Sequence, residues 1–109
     1  MKIDFLFKLF ADQTRLRILN LLAVGKLSVT DITKILGISQ PKASRHLAQL
    51  RVAGLVDCER NGTRAIYFLA KPHDQFQELL VGHVKKGHFR LIPVVKEDLK
   101  RAVLLRKKK

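Results

Sequence analysis

The chain has 109 residues, 47% of them apolar, which suffices for one compact core and not for two. No run approaches the ~18 consecutive apolar residues of a membrane-spanning helix, and Asp4 lies where a signal peptide would need an apolar region, so a cytoplasmic protein with no membrane partner is expected. Twenty-two Lys and Arg against nine Asp and Glu leave a net charge of +13, which calls for a polyanionic partner, and the single cysteine, Cys58, excludes an internal disulfide and a zinc site built mainly from thiolates.

The charge is uneven: Lys85 to Lys109 holds ten basic and two acidic residues, so the C-terminal tip reads as a solvated basic extension. There is no internal repeat, and residues 1–109 read as a single domain. Ile3 to Phe10 is apolar on nearly every side of a helix, as expected of a terminal element buried in a subunit interface. Asp12 predicts an N-cap for a core helix from Gln13 to Val24, closed by a left-handed Gly25.

Ser28-Val29-Thr30-Asp31 fits a capping box that opens a short helix to Leu36, stopped by Gly37. Ser39 offers a cap for the next helix only two residues on, and two helices joined by a three-residue turn containing Gly make a helix-turn-helix. In its second helix Ala43, Leu47, Leu50 and Gly54 fall within roughly 40° of one another and form the expected buried stripe. Arg45 points away from that stripe, with Lys42, Gln49 and Ser44 beside it and Gln40 in the first turn.

Beyond Gly54 the pattern turns to strands, Leu55 to Arg60 and Thr63 to Leu69, around Asn61-Gly62, a strong signal for a two-residue type I′ hairpin. That turn would place Glu59 opposite Arg64 and present Arg60 and Arg64 at the tip. Pro72 or His73 starts a fifth helix carrying Phe76, Leu79, Leu80 and Val84, and Pro93 permits a sixth carrying Val94, Leu99, Val103 and Leu104. The fold class expected is therefore mainly α, a winged helix-turn-helix of five to six helices with one β-hairpin wing.

An α-helix fits the major groove of duplex DNA, where each base pair shows its own donor and acceptor pattern. Arg45 suits guanine and Gln40 adenine, Ser39 and Ser44 reach bases or phosphates, Lys42 and Gln49 hold the backbone, and Arg60 and Arg64 reach the flanking groove or phosphate. A polar-faced helical hairpin by itself also occurs in ordinary all-α proteins.

Phe10 to Leu22, Ile38 to Leu47 and Ala53 to Val56, with the A-D-x-T-R-L-R-I-L, S-Q-x-x-x-S-R-H-L and R-x-G-x-x-x-x-Y patterns in order, resemble the ArsR/SmtB family of bacterial winged-helix repressors over about residues 3 to 80. The resemblance implies a homodimer formed by the first and fifth helices, binding to a double-stranded operator that blocks transcription, and release by an effector. Where the family's arsenic and cadmium sensors carry two cysteines, this chain has Ser28 and Thr30, poor ligands for soft ions. Where the family's zinc site has Asp and His, it has Lys71 and His73, with His83 and His88 one residue off register, so neither metal nor cofactor is expected. Cys58 reads as an inert strand residue. The alternative reading, from charge alone, is a basic RNA- or ribosome-associated structural module, although most of the Phe residues fall at apolar helical positions and leave little to stack on bases. No nucleophile, phosphate loop or ligand cluster marks an enzyme.

Overall fold

The computed structural model describes residues 3–107; the side chains of Ile3, Phe5 and Leu6 are outside that description, as are Lys108 and Lys109 at the basic tip. Among the described residues are α1 (Ile3–Ala11), α2 (Gln13–Val24), β1 (Leu27–Ser28), α3 (Val29–Leu36), α4 (Gln40–Val52), β2 (Val56–Asn61), β3 (Arg64–Leu69), α5 (Gln75–Lys85) and α6 (Pro93–Lys107). The strands form one antiparallel sheet in the order β1-β3-β2.

Local chemistry sets the boundaries. The Asp12 carboxylate accepts from the backbone N–H of Arg15 at 3.0 Å, and Ser28 Oγ accepts from Asp31 N at 3.1 Å, each satisfying a donor that the first helical turn leaves free. Gly37 ends α3 in the left-handed conformation, φ 68°, and its N–H returns to the Thr33 carbonyl. Ser39 then caps α4 through Lys42 N. The three residues from 37 to 39 thus turn the chain between two well-capped helices.

The core is built on α2, whose Ile18, Leu19, Leu21 and Leu22 are buried and which touches α1, α4, α5, α6 and β3. Ile32 and Ile35 from α3, Leu47 and Leu50 from α4, Leu55 and Val56 at the foot of the wing, and Val81 and Val84 from α5 close around it. Burying each Leu or Ile contributes roughly 1.5–3 kcal/mol.

Several expectations are corrected. Gly25 is extended, φ 162° and ψ 166°, because the chain passes directly into β1, a two-residue strand too short to show a period in the sequence. Gly54 lies beyond α4 rather than on its buried stripe; at φ 78° it turns the chain into the wing. The wing turn is displaced by one residue, which shifts the cross-strand pairing by two: Asn61 pairs with Arg64 and Glu59 with Ile66, so Gly62-Thr63 is the turn, with positive φ only at Gly62 as in a type II′ turn. Glu59 accordingly meets Lys26 at 3.1 Å and not Arg64. The fifth helix starts later than expected, where Asp74 caps it through Gln77 N.

The outer helices are turned partly as expected: Val84 lies in the core, and Phe76, Leu80 and Leu99 pack against it. In α5 the buried side is Gln77, Val81 and Val84, and Leu79 is exposed; in α6 it is Val95, Asp98 and Ala102, and Val103 and Leu104 are exposed. Apolar periodicity misplaced Leu79, Val103 and Leu104 because buried polar groups occupy some of the inward positions. Gln77 donates through its side-chain amide to the Ala53 carbonyl, and Asp98 receives Arg17 of α2.

Candidate nucleic-acid interface

The outward face of α4 follows from its inward one. Ala43, Leu47 and Leu50 are fully buried, and at helical spacing this turns Gln40, Lys42, Ser44, Arg45 and Gln49 to solvent, with Ser39 exposed at the cap. All six residues expected on the reading helix are therefore on one exposed element. Pro41 in the first turn removes an N–H that would have had no helical partner.

Two of the expected contacts are engaged within the chain. Gln49 Oε1 accepts from Arg15 Nη1 at 2.9 Å, and Arg15 also lies 3.5 Å from Asp12, so the start of α2 is tied to the last turn of α4. Arg64 turns back from the wing: its Nη2 donates to Ser28 Oγ at 3.0 Å and sits 3.7 Å from the Asp31 carboxylate. Arg60 stays exposed on β2. Sequence reasoning did not find Arg15 as the partner of Gln49, since a contact between residues 34 positions apart leaves no periodic trace.

The wing stands against α4 through the Leu55 N–H on the Leu50 carbonyl, 3.0 Å, and through Arg51 and Asp57, 3.3 Å apart on the surface. Beneath the reading face is His46, half-buried, with Nδ1 enclosed and without a partner. Burial pushes its imidazole below the ordinary value, and Arg15, Lys42 and Arg45 add to that against the pull of Asp12. Burial raises the Asp12 carboxyl, but the Arg15 N–H and guanidinium outweigh it and hold the group below its usual range.

Ser28 Oγ is committed to Asp31 N and Arg64, and among the described residues no three His, Cys, Asp or Glu side chains are grouped to hold an ion. His83 and His88 meet through their Nδ1 atoms at 2.6 Å, while His73 lies against Gly54. Cys58 is half-buried on β2 opposite Tyr67 of β3.

A helix-turn-helix followed at once by an antiparallel hairpin, on a scaffold of helices, defines a winged helix-turn-helix protein. Residues 12–57 match the family model for the bacterial regulatory protein, arsR family. The chain is 40% identical over 76 residues to an uncharacterised HTH-type transcriptional regulator, MJ1325, of Methanocaldococcus jannaschii, covering 69% of this chain and 83% of that one. It is 46% identical over 69 residues to the arsenical resistance operon repressor of Escherichia coli K12, covering 62% of this chain. Among solved structures it resembles the homodimeric winged helix-turn-helix DNA-binding domain Mb0332 of Mycobacterium bovis, a possible ArsR-family transcriptional regulator, with a TM-score of 0.63, 34% identity and coverage of 81% and 82% of the two chains. The chain belongs to the arsR family. It matches 58% of the length of the E. coli repressor. No helix among the described residues is long and apolar enough to cross a membrane.

Proposed function

We propose that the chain is a homodimeric, sequence-specific binder of double-stranded DNA that represses transcription in the cytoplasm and leaves its operator when an effector binds. It is read as a regulator and not an enzyme. The observation that carries the reading is the exposed polar face of α4, capped at Ser39 and flanked by the wing. Arg45 is the proposed guanine reader, Gln40 the adenine reader, and Ser39, Ser44, Lys42 and Arg60 the backbone and flanking contacts. Gln49 and Arg64 act through Arg15 and through Ser28 with Asp31, holding α4 and the wing in place.

The proposed dimer uses α1 and α5. Phe7 of α1 packs edge-on against Phe76 of α5, ring centroids 5.7 Å apart, and yet is 52% exposed, and Leu79 of α5 is 58% exposed. Large apolar side chains left open on adjoining helices suit an interface. Paired reading helices would meet half-sites ~34–36 Å apart.

The test is selection of genomic fragments by the purified protein, followed by gel shifts on the enriched duplex with structured RNA as competitor. Arg45→Ala is expected to weaken the selected site by about 1–3 kcal/mol and to relax preference at one base pair. Failure to enrich any duplex, or displacement by RNA at equal concentration, would overturn the reading.

A further inference from the structure

We propose that the outer face of α6, with the turn before it, binds an amphiphilic monoanion of the medium-chain carboxylate class, and that this site is mechanically tied to the helix-turn-helix. A groove of about 400 Å³ lies there, lined by Arg90, Leu91, Lys96, Leu99, Lys100 and Val103. Its size falls within the roughly 300–1,000 Å³ of small-molecule sites. A second hollow adjoins it past Lys100 and Val103 to Leu104. Leu91, in the turn before α6, is 90% exposed and Leu104 60%, although the inner side of α6 is well buried. An apolar surface of this kind, left open in a folded chain, marks a ligand or partner site.

Charge decides the occupant. Among the described residues three cations rim the groove, and no acidic side chain lines it. A second copy seated face to face would press the same cations against their counterparts. Nucleic-acid phosphate would satisfy the cations but bring no apolar body to cover Leu91, Leu99 and Val103. An alkyl carboxylate does both: its chain lies on those three residues, its head group sits among Arg90, Lys96 and Lys100, and the lysine stems flank the chain.

The other side of α6 is fastened to the helix-turn-helix. Asp98 takes two hydrogen bonds from Arg17, which also donates to the Leu36 carbonyl, and Arg101 donates to the Ile35 carbonyl, so α6 grips the end of α3 where the turn begins. A ligand seated on α6 therefore acts on an element bonded to the first helix of the motif. This regulatory half rests on the DNA-binding reading; the binding half does not.

The experiment is a calorimetric titration of the whole chain, without DNA, with sodium decanoate below its micellar concentration. Saturable binding of one decanoate per chain is expected, tighter than octanoate by up to ~4-fold per methylene. Decyltrimethylammonium is expected not to bind. Lys96 and Lys100 are exposed, so the double variant Lys96→Glu/Lys100→Glu should keep the wild-type circular dichroism while losing decanoate affinity about tenfold or more and gaining affinity for decyltrimethylammonium. Absence of saturable binding, equal binding of the two head groups by the wild type, or unchanged decanoate affinity in the variant would overturn the proposal. So would pelleting with phosphatidylglycerol vesicles by a chain that ignores monomeric decanoate, which would give the face to a lipid surface. Decanoate binding by a chain that binds no duplex would sink the DNA reading and leave this site standing.

Discussion

The Arg17 guanidinium donates from Nε and Nη2 to the two oxygens of Asp98, at 2.8 and 2.9 Å, joining α2 to α6 across 81 positions of sequence. The carboxylate is only 1% exposed, and the hydrogen bond holds the guanidinium protonated more firmly than usual. Breaking a buried pair costs more than the pair contributes, because the remaining charge stays desolvated. Asp98→Ala is therefore expected to lower unfolding free energy by about 3–5 kcal/mol, while Arg17→Met/Asp98→Leu recovers much of the loss. Urea titrations of the wild type and the two variants check this; a single variant as stable as the double one would contradict the account.

Gly54 and Gly37 both adopt positive φ, 78° and 68°, but their surroundings differ. A Cβ at Gly37 meets nothing within 4 Å, whereas one at Gly54 would meet the His73 ring at 2.5 Å. Gly37→Ala is expected to cost the backbone strain alone, about 1–2 kcal/mol. Gly54→Ala should cost more, and adding His73→Ala should bring it close to the Gly37 value. A double-mutant cycle on residues 54 and 73 with no coupling would show that the ring moves aside freely.

The helix-turn-helix was legible because its signals are local: Ser28, Gly37 and Ser39 act within four residues of where they stand, and the Ala43-Leu47-Leu50 stripe has a helical period. The wing was legible as a hairpin but not in register, since a II′ turn at Gly62-Thr63 and a I′ turn at Asn61-Gly62 share the same sequence cue. The orientation of α5 and α6 was legible only in part, through Phe76, Leu80, Val84 and Leu99. Gln77 and Asp98 read as surface residues until their partners, Ala53 and Arg17, are known, and those lie 24 and 81 positions away. The same blindness hid the Arg15 contact that holds Gln49.

His46 makes stability depend on pH. Its folded-state pKa is depressed, chiefly by burial, below the ordinary 6.5, so the unfolded chain takes up a proton first as pH falls. The stabilisation from keeping this imidazole neutral is present above pH 6.5 and is lost as pH drops through and below that value. Urea midpoints measured between pH 7.5 and 5 should fall with acidity, and His46→Gln should flatten the profile over that window. Asp12, depressed below 3.8, acts only at lower pH and leaves the window clear. A variant profile as steep as the wild type's would remove His46 as the cause.

The two wing arginines should separate by what they lose. Arg60 and Arg64 are both exposed, but the Arg64 guanidinium is held by Ser28 Oγ and lies near Asp31 at the start of α3. Each phosphate neutralised contributes ~0.9 to the slope of log K against log salt. Arg60→Ala is accordingly expected to reduce the slope by ~0.9 at little cost in stability. Arg64→Ala should leave the slope nearly unchanged, because its charge is spent inside the chain, and should instead loosen the wing and lower the melting temperature by the equivalent of roughly 1 kcal/mol. Salt-dependent gel shifts on the selected duplex, paired with thermal denaturation, distinguish the two. Equal slope changes in both variants would mean that Arg64 swings away from Ser28 when DNA binds.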